Sequence, residues 1–229
     1  MGFNNDGVEK IAARLKKRKA SMNSTLIIGG NIGKNKITEN EEAWRDYCIN
    51  FKGLEEVVDY FVINVSSPNT PGLRALQDKE SLRKIISELQ NLNHKQIPIF
   101  LKIAPDLELS ALDDIISLTS EVKLEGIVSS NTTLDRTMLN AKNQMLAEQI
   151  GAGGLSGKPL FNKSNEVLSY LHKGINGRIP IIASGGIFSG EDAIDKINRG
   201  ADLVQIWTGF IYQGPQLIKD IATSIAKLK

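Results

Sequence analysis

The chain has 229 residues, 41% of them hydrophobic and 24% charged, which is enough to bury a sizeable core and too apolar for global disorder. A formal net charge of +2 is too small to point to a nucleic acid or another polyanionic partner, and no apolar run approaches the roughly eighteen residues of a membrane-spanning helix. The single cysteine, Cys48, excludes an internal disulfide and fits a reducing compartment, while the N-terminal MGFNNDGVEK lacks the hydrophobic core of a secretory signal.

In chain order, a helix is predicted from about Gly7, closing on KKRK at 16–19. Cations favour a helix C-terminus, so the basic run reads as a solvated helix end and not as a nucleic-acid patch. Strands are predicted at Thr25 to Gly30, Tyr60 to Val65, Ile97 to Ile103, Gly126 to Ser129, Ile179 to Ala183 and Leu203 to Ile206. Helices are predicted near 39–57, 78–92, 108–121, 163–174, 190–199 and 215–228. Cys48 falls in the helical AWRDYCINF as a buried or half-buried structural thiol. No linker or low-complexity segment breaks the chain, so residues 1–229 are expected to form one domain. The longest irregular stretch, 131–162, carries GAGGLSG; it is not a G-x-G-x-x-G fingerprint, no strand feeds it, and it reads as an active-site loop. The site residues include no metal ligands.

Alternating apolar strands and helices imply parallel βαβ units, and polar or glycine residues gather at every strand's C-terminal end. Asn31 follows the first strand, Asn64 and Ser67 the second, Ser130 and Asn131 the fourth, Gly185 and Gly186 the fifth, and Trp207 and Thr208 the sixth. A (β/α) barrel brings these ends to one face, whereas a doubly wound sheet, the lesser alternative, lines them along a crevice. The segment INVSSPNTPGLRALQ at 63–77 is a strand-ending turn by its prolines and glycine, and such a face makes it a site. Within PIFLKIAP, alternation puts Ile99, Leu101 and Ile103 on one face and Phe100, Lys102 and Ala104 on the other. A lysine in so apolar a strand needs an anionic partner or a bound ligand. SGG at 184–186 and WTG at 207–209 stand where barrels hold a phosphate on bare N–H groups.

Six ordered motifs, NVSSPNTPGLRALQ, LKIAPDL, SSNTTLDR, GGLSGKPL, IPIIASGGI and ADLVQIWTGFIYQGP, resemble the quinone-dependent class 2 dihydroorotate dehydrogenases over nearly the whole chain. The resemblance implies a (β/α)8 barrel that binds FMN and oxidises dihydroorotate to orotate in pyrimidine synthesis. It implies Ser67 as the base for the C5 proton; class 1 relatives carry cysteine there, so serine favours a quinone as electron acceptor. Gly2, Phe3, Asn64, Asn69, Asn131 and Thr132 match substrate-binding positions. Carboxamides suit a planar ring that presents alternating N–H and C=O groups. Asn31, Asn64, Lys102, Ser130, Gly157, Gly185, Gly186, Trp207 and Thr208 match cofactor contacts, with Ser130 standing where the family usually has threonine and Trp207 where it usually has tyrosine.

Against that family, about six of eight βα units are expected here, with the first two strands and the membrane-seated N-terminal extension absent. Membrane association at the cytoplasmic face would come only through that extension, leaving this chain soluble and cytoplasmic. Three further readings follow: another flavin barrel, which Ser67 argues against; a phosphate-binding isomerase or aldolase barrel, which explains SGG and WTG but not SSPNT; and a non-catalytic remnant of the enzyme.

Overall fold

The computed structural model describes residues 4–21 and 26–228. The first helix, α1 (Val8–Ser21), ends on exposed basic residues as expected. Then come β1 (Gly29–Ile32), α2 (Ala43–Leu54), β2 (Tyr60–Asn64), α3 (Lys79–Leu92), β3 (Ile99–Ile103), α4 (Leu109–Glu121) and β4 (Gly126–Ser129). The second half contains α5 (Ala141–Ile150), α6 (Phe161–Ile175), β5 (Ile181–Ser184), α7 (Gly190–Asn198), β6 (Leu203–Gln205), α8 (Thr208–Gln213) and α9 (Gln216–Ala226).

All strand pairs are parallel, and the six lie in the order β1-β2-β3-β4-β5-β6, curled as part of a barrel. A doubly wound sheet needs a point where the order reverses, and this sheet has none. Right-handed crossovers without reversal put the helices that cross between consecutive strands on the same side. The burial pattern agrees. Phe61 and Ile63 of β2, Ile99, Leu101 and Ile103 of β3, Ile127 of β4, and Ile181 and Ala183 of β5 share one apolar cluster with Tyr47, Phe51, Leu82, Ile86, Leu89, Ile115, Leu118, Leu168 and Leu171 of the helices. A smaller cluster of Ile187, Ala193, Leu217 and Ile221 joins α7 to α9. Local signals start the helices: Asp78 accepts from the Ser81 N–H at 3.0 Å ahead of α3, and Ser189 accepts from the Asp192 N–H at 3.2 Å ahead of α7.

Two expectations are corrected. The first strand begins at Gly29 and contains Asn31 instead of preceding it, and the predicted start at Thr25 lies outside the described residues. The stretch 131–162, read as irregular, holds α5, capped where Asn140 accepts from the Asn143 N–H at 2.9 Å and stopped at Gly151. None of its residues is buried, so it carries little of the apolar periodicity by which helices are recognised. Cys48 is half-buried against the main cluster, as expected of a structural thiol, and burial, then Glu88, push its pKa up.

Candidate active site

The sheet's face opposite the helices is built by the alternate residues of each strand. At the strands' N-terminal ends it is filled by aromatic rings. A Cβ on Gly29 would stand 2.3 Å from the Tyr60 ring and one on Gly126 would stand 2.2 Å from Phe100, while Tyr60 and Phe100 meet edge to face at 5.6 Å. Towards the C-terminal ends the same face turns polar. Asn31, Asn64, Lys102 and Ser184 lie on it, with Asn64 and Lys102 directly paired in register, and Ser130, one residue beyond β4, lines a cleft with Lys102 and Ser184.

Lys102 behaves as its alternation predicts. Ile99, Leu101 and Ile103 are fully buried against the helices, and Lys102 points the other way, half-buried. Among the described residues no carboxylate pairs with it, and burial lowers its pKa. An ammonium in that state attracts an anion. The other expectation, an internal salt bridge, is not met.

The loop after β2 is ordered by its own side chains. Asn64 Oδ1 accepts from the Ser66 N–H at 3.2 Å and the Ser66 hydroxyl at 2.8 Å, and Asn131 Nδ2 donates to Ser66 Oγ at 2.9 Å. Asn131 Oδ1 in turn accepts from the Thr132 N–H at 2.8 Å. Ser67 is 7% exposed, and its Oγ accepts from the Asn69 N–H at 3.2 Å. Asn69 itself is exposed beside the Gly151–Gly154 turn, where a Cβ on Gly154 would stand 1.9 Å from Thr132 Oγ1. Only glycine lets that backbone approach Thr132 so closely.

Three charged residues that sequence reasoning left unassigned tie these loops together. Arg74 donates from Nε to the Ser66 carbonyl at 3.0 Å, from Nη2 to the Thr132 carbonyl at 2.8 Å and from Nη1 to Asp106 at 2.7 Å. Asp106 also accepts from the Thr133 hydroxyl, from the Leu134 N–H at 2.9 Å and from Lys163 at 2.9 Å. Burial opposes ionisation of Asp106, but the donors from Thr133, Lys163, Leu134 and Arg74 outweigh it and hold the pKa at about 2. The available signal was an arginine and an aspartate inside LRALQ and APDL, each just beyond a polar strand end.

At the other end of the face a cleft is lined by Lys102, Ser130, Asn131, Thr132, Gly157, Gly185, Gly186, Trp207 and Thr208 together. The structure thus gathers most of the predicted cofactor positions and two of the substrate positions. Asn31 and Asn69 instead border a separate, wider hollow beside β1, and Gly2 and Phe3 lie outside the described residues. Thr208 Oγ1 donates to Ser156 Oγ at 3.1 Å, while the Trp207 side chain is 70% exposed, so any contact from that position is made by its backbone or across an open edge. Gly185 and Gly186 turn with φ of +103° and +81°, and among the described residues the N–H groups of Gly186 and Ile187 meet no acceptor. A Cβ on Gly186 would stand 2.5 Å from the Phe161 Cβ. Gly186→Ala is therefore expected to push the turn off α6 and abolish binding of any anion seated there; isothermal titration with a phosphomonoester checks this, and unchanged affinity would refute the role of the turn.

The chain matches the family model described as dihydroorotate dehydrogenase over residues 1–228. It is 51% identical to a dihydroorotate dehydrogenase (quinone) of Christiangramia forsetii, covering 98% of this chain and 64% of that protein. It is 48% identical to the protein of the same name from Nostoc sp., covering 98% of this chain and 60% of the relative. The chain therefore spans about three-fifths of the length of these curated relatives. Ligand-free dihydroorotate dehydrogenase of Eimeria tenella superposes with a TM-score of 0.89 at 34% identity over 99% of this chain and 68% of that one. The ferulenol complex of the Eimeria enzyme gives 0.87 over 99% and 65%.

Proposed function

The chain belongs to the dihydroorotate dehydrogenase family, and from that premise we propose that its concave face oxidises (S)-dihydroorotate to orotate, with FMN as bound redox group and a quinone as electron acceptor, in pyrimidine (UMP) biosynthesis. The observation that carries this reading is Lys102, a half-buried cation without a carboxylate partner, set between the Asn64 and Ser67 loop and the glycine turn.

The residues present fit FMN. The Gly185–Gly186 turn offers unclaimed N–H groups to a phosphate, Gly157 and Thr208 close the cradle from the opposite side, and Lys102 supplies positive charge where an isoalloxazine ring would gain negative charge. Asn31 and Asn64 stand on the same face as Lys102, and Ser130 lines the cleft with it. When bound, FMN supplies a hydride acceptor for C6 of the substrate.

The remaining chemistry belongs to the chain. Ser67 Oγ takes the proton from C5. The Asn69 N–H already donates to that oxygen, which stabilises negative charge on it without accepting its proton. No side chain among the described residues accepts from Ser67, so its own hydroxyl proton passes to water as Oγ takes the C5 proton. Asn64 Nδ2 and the second Asn131 Nδ2 hydrogen have no acceptor within the described protein and are available to the ring carbonyls and carboxylate of the substrate. Thr132 lines the cleft beside Asn131, and Asn69 stands across the Gly151–Gly154 turn, on the side of the wider hollow, while Gly2 and Phe3 lie outside the described residues.

A second reading keeps the binding residues but not the turnover. It is favoured by the open β6 edge, where Leu203 is 60% exposed and, among the described residues, no strand pairs beyond β6. One experiment separates the two. Titrated with FMN, the chain is expected to quench flavin fluorescence stoichiometrically, and dihydroorotate added without oxygen should then bleach the flavin. Bound flavin that is never bleached selects the second reading, and failure to bind flavin overturns both.

A further inference from the structure

Lys196 on α7 has no exposed surface. Its Nζ donates to Ser164 Oγ at 2.6 Å and lies 5.2 Å from the Phe161 ring centroid, and among the described residues no carboxylate reaches it. The adjacent Asp195 is taken by Asn165 and Arg199, each at 2.7 Å. Asp192 accepts from the Phe188 N–H at 2.8 Å, and Asp220 on α9 accepts from Gln216 at 2.8 Å. A lysine buried in this way is costly unless an anion offsets it.

Ser164 Oγ, which accepts from Lys196, lies 2.9 Å from the Phe161 carbonyl and 3.1 Å from the Gly185 carbonyl, so its one hydroxyl hydrogen is shared between the start of α6 and the first residue of the glycine turn. That turn is the one whose Gly186 and Ile187 N–H groups have no acceptor among the described residues, and Gly186 rests directly on Phe161. One fully buried cation and a set of unclaimed amides thus converge on one wall of the cleft, from behind and from in front.

We propose that Lys196 is a positioning residue for a phosphomonoester, the buried counter-charge that acts through the Ser164 hydroxyl to hold the phosphate of FMN on the Gly185–Gly186 turn. The proposal rests on the flavin reading above. It adds a proton to the binding step. Burial draws the Lys196 ammonium down to about 8, with Asp195 opposing, Arg199 adding to the fall and Asp192 opposing. An arriving dianion restores the charged form, so binding takes up a proton above pH 8. With that value for the free protein, FMN affinity falls about tenfold between pH 7 and pH 9.

The test measures FMN and riboflavin affinities by fluorescence quenching for the wild-type chain and for Lys196→Met, at pH 7 and pH 9. In the wild type, FMN is expected to bind more tightly than riboflavin and to lose about tenfold by pH 9, while riboflavin is insensitive to pH. In Lys196→Met, FMN weakens about 10- to 100-fold, riboflavin is unchanged, and the pH dependence disappears. A merely structural lysine would weaken both flavins together. An undiminished preference for FMN in the variant overturns the proposal and leaves the flavin reading intact; a wild-type chain that binds neither flavin overturns that reading and the proposal with it. Should Lys196→Met not fold, the wild-type profile decides: FMN affinity independent of pH between 7 and 9 refutes the assignment.

Discussion

Ser67→Ala is expected to slow reduction of bound flavin by dihydroorotate by about 10²- to 10⁴-fold, the range for removal of a positioned proton acceptor, while orotate affinity changes little. The side chain is buried, and its one recorded contact is the Asn69 N–H at 3.2 Å, which main-chain ordering of the loop can survive without. Asn64, Ser66 and Asn131 fix the loop among themselves, so removing one hydroxyl leaves the site assembled. Stopped-flow measurement without oxygen separates this loss from quinone reoxidation. Ser67→Cys should recover part of the rate with a limb near pH 8.5, the ordinary range of a thiol, because the thiolate is a competent base there. A Ser67→Ala chain that bleaches its flavin at the wild-type rate would remove serine from the proposed chemistry.

Asp106→Ala is expected to destabilise the chain by about 3 kcal/mol, since it leaves Arg74 and Lys163, both largely shielded, without their shared carboxylate. For a domain of this size, that corresponds to a fall in Tm of about 6–12 °C, readable by circular dichroism. Because Arg74 also holds the Ser66 and Thr132 carbonyls, substrate affinity should fall along with stability. The pH dependence has a definite sign. The Asp106 pKa is lowered from 3.8 to about 2, so its contribution is fully present above pH 4 and is lost as pH falls through 2. The shift corresponds to about 2 kcal/mol, and Asp106→Asn should flatten that part of the acid limb. A Tm unchanged in Asp106→Ala would show that the ion cluster is ornamental.

The legible parts of the sequence were those governed by local periodicity. Strand β4 falls at the predicted Gly126 to Ser129, because four apolar and small residues between charged and polar flanks admit few other conformations. In β3 the two-residue alternation by itself separates Lys102 from its apolar neighbours. Helix α5 was illegible for the converse reason: with no buried face, its residues carry no amphipathic signal, and only the Asn140 cap and Gly151 stop mark it.

By itself the sequence determined the strands, apart from the bounds of the first, and most helices, and it placed Ser67, Asn64, Asn131 and the glycine turn at strand ends that converge. Those features depend on neighbours within a few residues, or on the rule that parallel strands collect their C-terminal ends. Tertiary structure alone decided that Arg74, Asp106 and Lys163 meet, that among the described residues no acid pairs with Lys102 or Lys196, and that Asn31 opens on a different hollow from Gly186. Arg74 reaches Thr132 across 58 positions of chain, and Lys196 reaches Ser164 across 32. Whether a charge is paired depends on distances between elements remote in sequence, which no local pattern encodes.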